Sequence, residues 1–211
     1  MRARGRWVNV AGDDELAEAL AEAIAGDAAG FAALWRALQP AVLRYLWVVV
    51  GDAAEDVASE TWLQAARDLH RFDGGPQAFR GWLFRIARHR GIDERRRSGR
   101  RPEEPAAGAG AEDAGPRARD VAAEVLEGAD TRWALGLIAA LPIDQAEAVM
   151  LRVVAGLDVA TTAKVLGKRS GAVRVATMRG LRRLAAHPQV QARNAPVPGN
   201  APVDPALPEG V

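Results

Sequence analysis

Between Phe31 and Val49 the side chains Phe31, Leu34, Trp35, Leu38, Val42, Tyr45, Leu46 and Val49 recur at intervals of three and four. That spacing puts them on one side of an α-helix, whereas a strand would scatter them over both of its faces. A stripe this long has to be buried, and a helix hides its stripe by packing on other elements. Pro40 falls inside it and is expected to kink or divide the helix.

The flanking sequence supplies further helices and no alternating strand pattern. Residues 1–12 read as a loose arm. From Asp13 to Ala25 an Ala/Glu/Leu-rich segment spaces Leu16, Leu20 and Ile24 by four, and Gly26 and Gly30 punctuate its end. Gly51-Asp52 closes the long helix, and Asp52 followed by Glu55 has the spacing of a reciprocal helix cap. On the next helix Ala54, Val57, Ala58, Thr61, Trp62, Ala65 and Leu69 share one face, with Asp56, Ser59, Glu60, Leu63 and Arg67 on the other. An acidic face beside an outward leucine serves equally as plain surface or as a docking site for a basic partner. Phe72-Asp-Gly-Gly-Pro76 is a loop by its turn chemistry.

Gly81–Arg97, reading GWLFRIARHRGIDERRR, is two-faced. Trp82, Leu83, Ile86 and Ala87 fall on one side, and Arg85, Arg88, Arg95 and Arg96 on the other. Arg90 lands on the apolar side and is expected to pair with Asp93 or Glu94. The apolar side fits a core, while the arginine stripe offers forked donors suited to phosphate. Net charge is only +1, so a nucleic-acid surface has to come from segregated charge.

After Arg97 the composition shifts to Gly, Pro, Ala and acids without an apolar period, which reads as a flexible linker. A second domain begins near Val121. Trp133, Leu137, Ile138 and Leu141 mark one helix, stopped by Pro142; Ala146, Val149, Met150 and Val153 mark another, with Gly156 as a left-handed cap. Asp158 is placed to cap a short helix, Val159–Leu166, closed by Gly167, and a last helix follows from Ser170 to about Ala186. Two helices across a Gly-containing turn, the second basic, form a helix-turn-helix pattern. From Lys164 through Arg183 there are seven cations and no acid, which favours contact with DNA. Residues 188–211, rich in Pro, read as a disordered tail.

Other classes of function fit poorly. The chain has no cysteine, which excludes thiolate catalysis, disulfides and Cys-ligated metals. His70, His89 and His187 lack ligand spacing, and no phosphate-binding Gly loop or nucleophile–base pair is visible. No cofactor is therefore implied and no enzyme is read here. There is no signal-peptide core and no apolar run of membrane-spanning length, so a cytoplasmic protein without membrane insertion is expected.

The order of motifs resembles a bacterial sigma factor of the sigma-70 family, most closely the compact extracytoplasmic-function group. AAEDVASETWLQAARDLHRFD and FRGWLFRIARHRGIDERRR carry the resemblance to region 2, and LPIDQAEAVMLRVVAGLDVATTAKVLG with SGAVRVATMRGLRRL carries that to region 4. The implied fold is all-α: a region 2 helical bundle over residues 26–97 after an N-terminal extension (1–25), a flexible linker (98–120), a region 4 helix-turn-helix domain (121–187) and the tail (188–211). The resemblance implies docking on the clamp helices of core RNA polymerase through Glu55, Asp56, Ser59, Glu60 and Leu63. It assigns recognition and melting of the start-proximal −10 promoter element to Phe72, Phe79, Arg85, Arg88, His89, Arg95 and Arg96, in keeping with base capture by aromatics and strand holding by arginines. Upstream −35 contact would come from Lys168, Arg169, Ser170, Arg174, Arg179, Arg182 and Arg183, with early residues of the helix on base edges and later ones on phosphate. The polymerase flap and an anti-sigma factor are further partners that the resemblance implies.

Several positions depart from the family pattern. His89 stands where Asn is usual. Arg169 aligns with the usual cap Ser, so capping is expected to shift to Ser170. Ala176 replaces a basic residue, and Thr162 and Thr177 occupy aliphatic core positions, where each hydroxyl needs a partner such as a carbonyl one turn back. The competing reading is an autonomous helix-turn-helix regulator, which leaves the acidic face and the whole first domain without a use.

Overall fold

A computed structural model describes residues 12–100 and 128–194. In chain order these form α1 (Asp13–Ile24), α2 (Ala28–Val50), a 3-10 turn (Gly51–Ala53), α3 (Ala54–Asp68), a second 3-10 turn (Leu69–Arg71), α4 (Pro76–Arg100), α5 (Ala129–Ala139), α6 (Ile143–Val149), a π turn (Met150–Val154), α7 (Val159–Leu166), α8 (Ser170–Ala185) and α9 (Pro188–Asn194). Among the described residues there is no strand. The expected linker and tail lie outside them except for Ser98–Arg100, which continue α4, and Pro188–Asn194, which form α9. The expected arm (1–12) lies outside too, apart from Gly12.

The stripe of α2 is the axis of the molecule. Leu34, Leu38, Val42, Tyr45 and Leu46 are fully or almost fully buried. Leu16, Ala19, Leu20 and Ala23 of α1 pack on one side of it, and α3 and α4 on others. Gly30 lets α1 and α2 touch: a Cβ there would stand 2.5 Å from Glu22 Cβ and 2.7 Å from Ala23 N. Pro40 does not divide α2, which runs unbroken from Ala28 to Val50. Burial of Leu38 and Val42 on either side holds the helix across the one hydrogen bond that proline cannot donate. The expected Asp52 cap is also absent. Gly51, at φ +62°, turns the chain into the 3-10 segment, so α3 begins two residues after Asp52 without a side-chain cap.

Aromatic contacts tie the helices together. Phe31 meets Trp62 edge-on at 5.8 Å, and Tyr45 meets Phe84 edge-on at 5.6 Å. The buried cluster does not stop at the end of α4: it runs on through Leu135, Ala146, Ala148, Met150, Leu151 and Leu157 to Val165 and Val173. Thus α2 packs against α5 and α6, and α4 packs against α7.

In the second half Asp158 caps α7 by accepting from Thr161 N at 2.7 Å, and Gly167 ends α7 in the left-handed conformation at φ +64°. Gly156 adopts the expected positive φ. Thr61 of α3 satisfies its hydroxyl on the Val57 carbonyl at 2.7 Å. Thr162 and Thr177 do not follow that pattern: neither hydroxyl has a hydrogen-bond partner among the described residues. For the fully buried Thr162 this forfeits about 1–3 kcal/mol. In α9, Arg193 pairs with Asp130 and lies 4.5 Å over the Trp133 ring.

Candidate nucleic-acid interface

The outer face of α3 is open. Glu55, Asp56, Ser59 and Glu60 are exposed, and Leu63 is 56% exposed beside them. The opposite face is locked down by Ala58, Ala65 and Trp62, so its orientation is set by the core. Glu60 stands 3.7 Å from Arg90, whose Nε also donates to Gln64 at 3.1 Å. This corrects the expected pairing of Arg90 within α4. Glu94 is instead taken by Arg97 at 2.8 Å and Ser98 at 2.9 Å, and Asp93 lies 3.9 Å from Arg96.

The loop before α4 brings three aromatic rings together. Phe72 lies 5.5 Å from Phe79 and 5.3 Å from Trp82, and Phe79 lies 5.6 Å from Trp82. Phe79 is completely buried, which corrects its assignment as a strand contact: its ring is the floor on which Phe72 and Trp82 rest. Those two are half-buried and line an open cleft with Arg71, Arg85, Thr161 and Lys164.

Along α4, Arg85, His89, Arg95 and Arg96 are exposed as expected. Arg88 is not. Its side chain is 20% exposed, and its guanidinium donates to Glu147 of α6, Nε to Oε1 at 2.9 Å and Nη2 to Oε2 at 3.5 Å. Glu147 Oε1 also accepts the Tyr45 hydroxyl at 2.9 Å. Burial, with the Glu147 carboxylate second, pushes the Tyr45 phenol well above its usual pKa. Sequence reasoning missed Glu147. The available signal is an acid inside AEAVML, a run buried from Ala146 to Leu151, with no cation within one turn on its own helix.

In the second half α8 presents Arg169 at its start and then Arg174, Arg179, Arg182 and Arg183, all exposed. Ser170 does not cap α8 as expected: helical geometry already begins at Ser170, Arg169 takes the cap position, and no side chain bonds there. Lys168 is drawn to Asp144 at 2.6 Å and is only partly available. Gly180 seats α8 on α6, since a Cβ there would stand 2.8 Å from Val149 Cγ2. Beyond it Met178 and Leu181 are exposed in a shallow groove between Arg152, Arg174 and Arg182. Backbone hydrogen bonding to Thr161 holds the Asp158 carboxyl below its usual pKa.

An acidic face, an arginine helix beside an aromatic cleft and a basic helix-turn-helix therefore occur in that order on one chain. Residues 34–101 match Sigma-70 region 2, and residues 131–184 match Sigma-70, region 4. The chain is 35% identical over 156 residues to the ECF RNA polymerase sigma factor SigD of Mycobacterium tuberculosis, covering 70% of this chain and 71% of SigD. It is 35% identical over 162 residues to the ECF RNA polymerase sigma factor ShbA of Streptomyces griseus, covering 71% and 82%. The fold is shared with CnrH in its complex with the cytosolic domain of CnrY, at a TM-score of 0.57 and 24% identity over 85% of this chain and 99% of CnrH. The chain belongs to the extracytoplasmic-function group of the sigma-70 family.

Proposed function

We propose that this chain is a promoter-specificity subunit that directs core RNA polymerase to initiate transcription. The observation that carries the reading is the exposed acidic and apolar face of α3, held rigid by its buried opposite side and followed directly by the arginines of α4. In this reading Glu55, Asp56, Ser59, Glu60 and Leu63 dock on the clamp helices of the polymerase. Phe72, Arg85, His89, Arg95 and Arg96 then receive the unpaired strand of the start-proximal element, joined by Arg88 once it is released. Phe72 and Trp82 offer ring faces to an unstacked base, and the arginines hold phosphates.

The basic helix α8 reads the upstream element. Arg169 and Arg174 lie early enough to reach base edges, and Arg179, Arg182 and Arg183 lie where a recognition helix meets the backbone. Lys168 and Ser170 support that end of the helix. The groove at Met178 and Leu181 suits an apolar contact with the polymerase flap or with an anti-sigma factor. With such a partner the proposed site of action is the cytoplasm. Among the described residues no helix is long and apolar enough to cross a membrane.

The test is run-off transcription with core polymerase on a pool of genomic templates, with the starts sequenced. New starts that share two spaced elements are expected. A purified protein that shifts promoter DNA without core polymerase, and adds no starts with it, would establish the autonomous regulator instead.

A further inference from the structure

Two chemistries meet in the cleft between α4 and α7. The cleft encloses about 620 Å³, within the ~300–1,000 Å³ typical of small-molecule sites. Where Gly81 and Thr161 line it the helices meet closely, since a Cβ on Gly81 would stand 2.5 Å from the Thr161 methyl. One wall is aromatic: Phe72 and Trp82, both half-buried, with ring centroids 5.3 Å apart. Rings at that separation touch each other, so a planar ligand would lie against their outer faces and not between them. Phe79, completely buried and in contact with both at 5.5 and 5.6 Å, keeps the pair from turning.

The remaining lining is charged. Arg71, Arg85 and Lys164 reach the cleft from three elements, the second 3-10 turn, α4 and α7. All three are exposed, and among the described residues none of them takes part in an ion pair. They stay unpaired although Asp68 and Asp73 line the same cleft. Cations converging beside fixed ring faces complement an anion that carries a flat apolar group. An inorganic anion would leave the rings uncovered, and an uncharged aromatic would leave the cations unused. The two carboxylates add acceptors for hydroxyl or amino donors, which a nucleoside has and a bare phosphate lacks.

We propose that this cleft binds a free nucleoside phosphate, its base against Phe72 and Trp82 and its phosphate held by Arg71, Arg85 and Lys164. Phe72, Trp82 and Arg85 are shared with the strand site proposed above, whereas Arg71 and Lys164 are not. A bound nucleotide therefore competes with promoter strand for the shared residues. That consequence rests on the reading of α4 as the strand-binding helix; the binding itself does not.

Binding is measured by calorimetry on the full chain without polymerase, using AMP, ADP, GMP and GDP, with adenosine and pyrophosphate as controls. At least one nucleotide is expected to bind about ten-fold or more tightly than either control. Arg71→Ala and Lys164→Ala, both at exposed positions, should each weaken that binding by at least about five-fold, and Phe72→Ala should reduce it to the level of pyrophosphate. Arg182→Ala, on α8 and outside the cleft, should leave it unchanged. The absence of any nucleotide binding tighter than the controls, or an equal loss in Arg182→Ala and Lys164→Ala, would overturn the site. Should Phe72→Ala misfold, the Arg71 and Lys164 variants still decide the matter. Competition is read by adding the tightest-binding nucleotide to the chain before core polymerase and promoter. Open-complex yield is expected to fall at least about three-fold for wild type and by clearly less for Lys164→Ala, each relative to its own yield without nucleotide. Equal falls would place the effect on the polymerase and overturn the competition. Inactivity of wild type with core polymerase would overturn the sigma-factor reading while leaving the calorimetric result standing.

Discussion

Trp62 donates its indole N–H to the side-chain oxygen of Gln39 at 2.6 Å, with both residues buried between α3 and α2. This bond fixes the rotation of α3 and therefore the direction in which the acidic face looks. Replacing Gln39 by Leu leaves the indole donor buried and unpaired, at a cost of about 1–3 kcal/mol. The expected outcome is a lower midpoint of urea unfolding with an unchanged slope; an unaltered midpoint would show that the bond does not hold α3.

Asp56 and Glu60 are exposed, so reversing their charge leaves the core intact. The double substitution Asp56→Arg and Glu60→Arg is expected to weaken binding to core polymerase by at least about ten-fold, equivalent to ~1.4 kcal/mol or more, with the helical circular dichroism spectrum preserved. Co-purification at wild-type levels by the folded variant would remove α3 from the docking surface.

The arginines of α8 separate into two groups by position. Arg174→Ala is expected to relax sequence preference at one or two positions of the upstream element. Arg182→Ala or Arg183→Ala is expected to weaken binding on every sequence and to lower the salt dependence by about one charge each. Holoenzyme binding measured across a salt series on matched and mismatched templates distinguishes the two patterns.

Tyr45 is the one tyrosine of the chain, which makes its ionisation directly visible as phenolate absorbance. Its pKa is raised in the folded protein, first by burial and then by Glu147, so folding favours the neutral phenol. The resulting stabilisation is intact below the ordinary value of about 10 and is lost as pH rises from there through the raised folded value. Native protein is expected to show no phenolate at a pH where the urea-unfolded chain is half ionised. Glu147→Gln should bring ionisation to lower pH, and an unchanged titration would separate the two residues in solution.

Asp158 has the opposite sign. Its folded pKa is depressed by the hydrogen bond from Thr161 N, so its capping contribution is present above the ordinary carboxylate value of about 3.9 and declines as pH falls through the depressed one. Asp158→Ala is expected to cost about 1 kcal/mol at neutral pH and progressively less in acid, read from denaturation midpoints at several pH values.

The helices and their capping glycines were legible because their signals are local. The α2 stripe, the Asp158 cap and Gly167 each depend on residues within a turn or two of one another. The errors lie where a distant contact overrode a local pattern. Arg90 had acids at helical spacing and paired with Glu60 on α3, because α4 packs on α3 along that edge. Pro40 had a local reason to break α2 and did not, because the flanking side chains are buried by other helices. Phe79 was assigned to the promoter strand by the resemblance, while its burial comes from packing with Phe72 and Trp82. Glu147 was missed because both of its partners lie in the other half of the chain, and only its place inside an apolar run marked it. The outward faces of α3 and α8 were readable as faces, and their partners were supplied by the family resemblance.

The Asp130–Arg193 pair joins the first turn of α5 to the last turn of α9, so the second half of the molecule leaves and returns at one spot. A chain whose ends are tied in this way can be reordered, with a new start between α6 and α7 and a short bridge between residues 194 and 129, while every contact of the helix-turn-helix is retained. Whatever is fused to one end emerges next to the other.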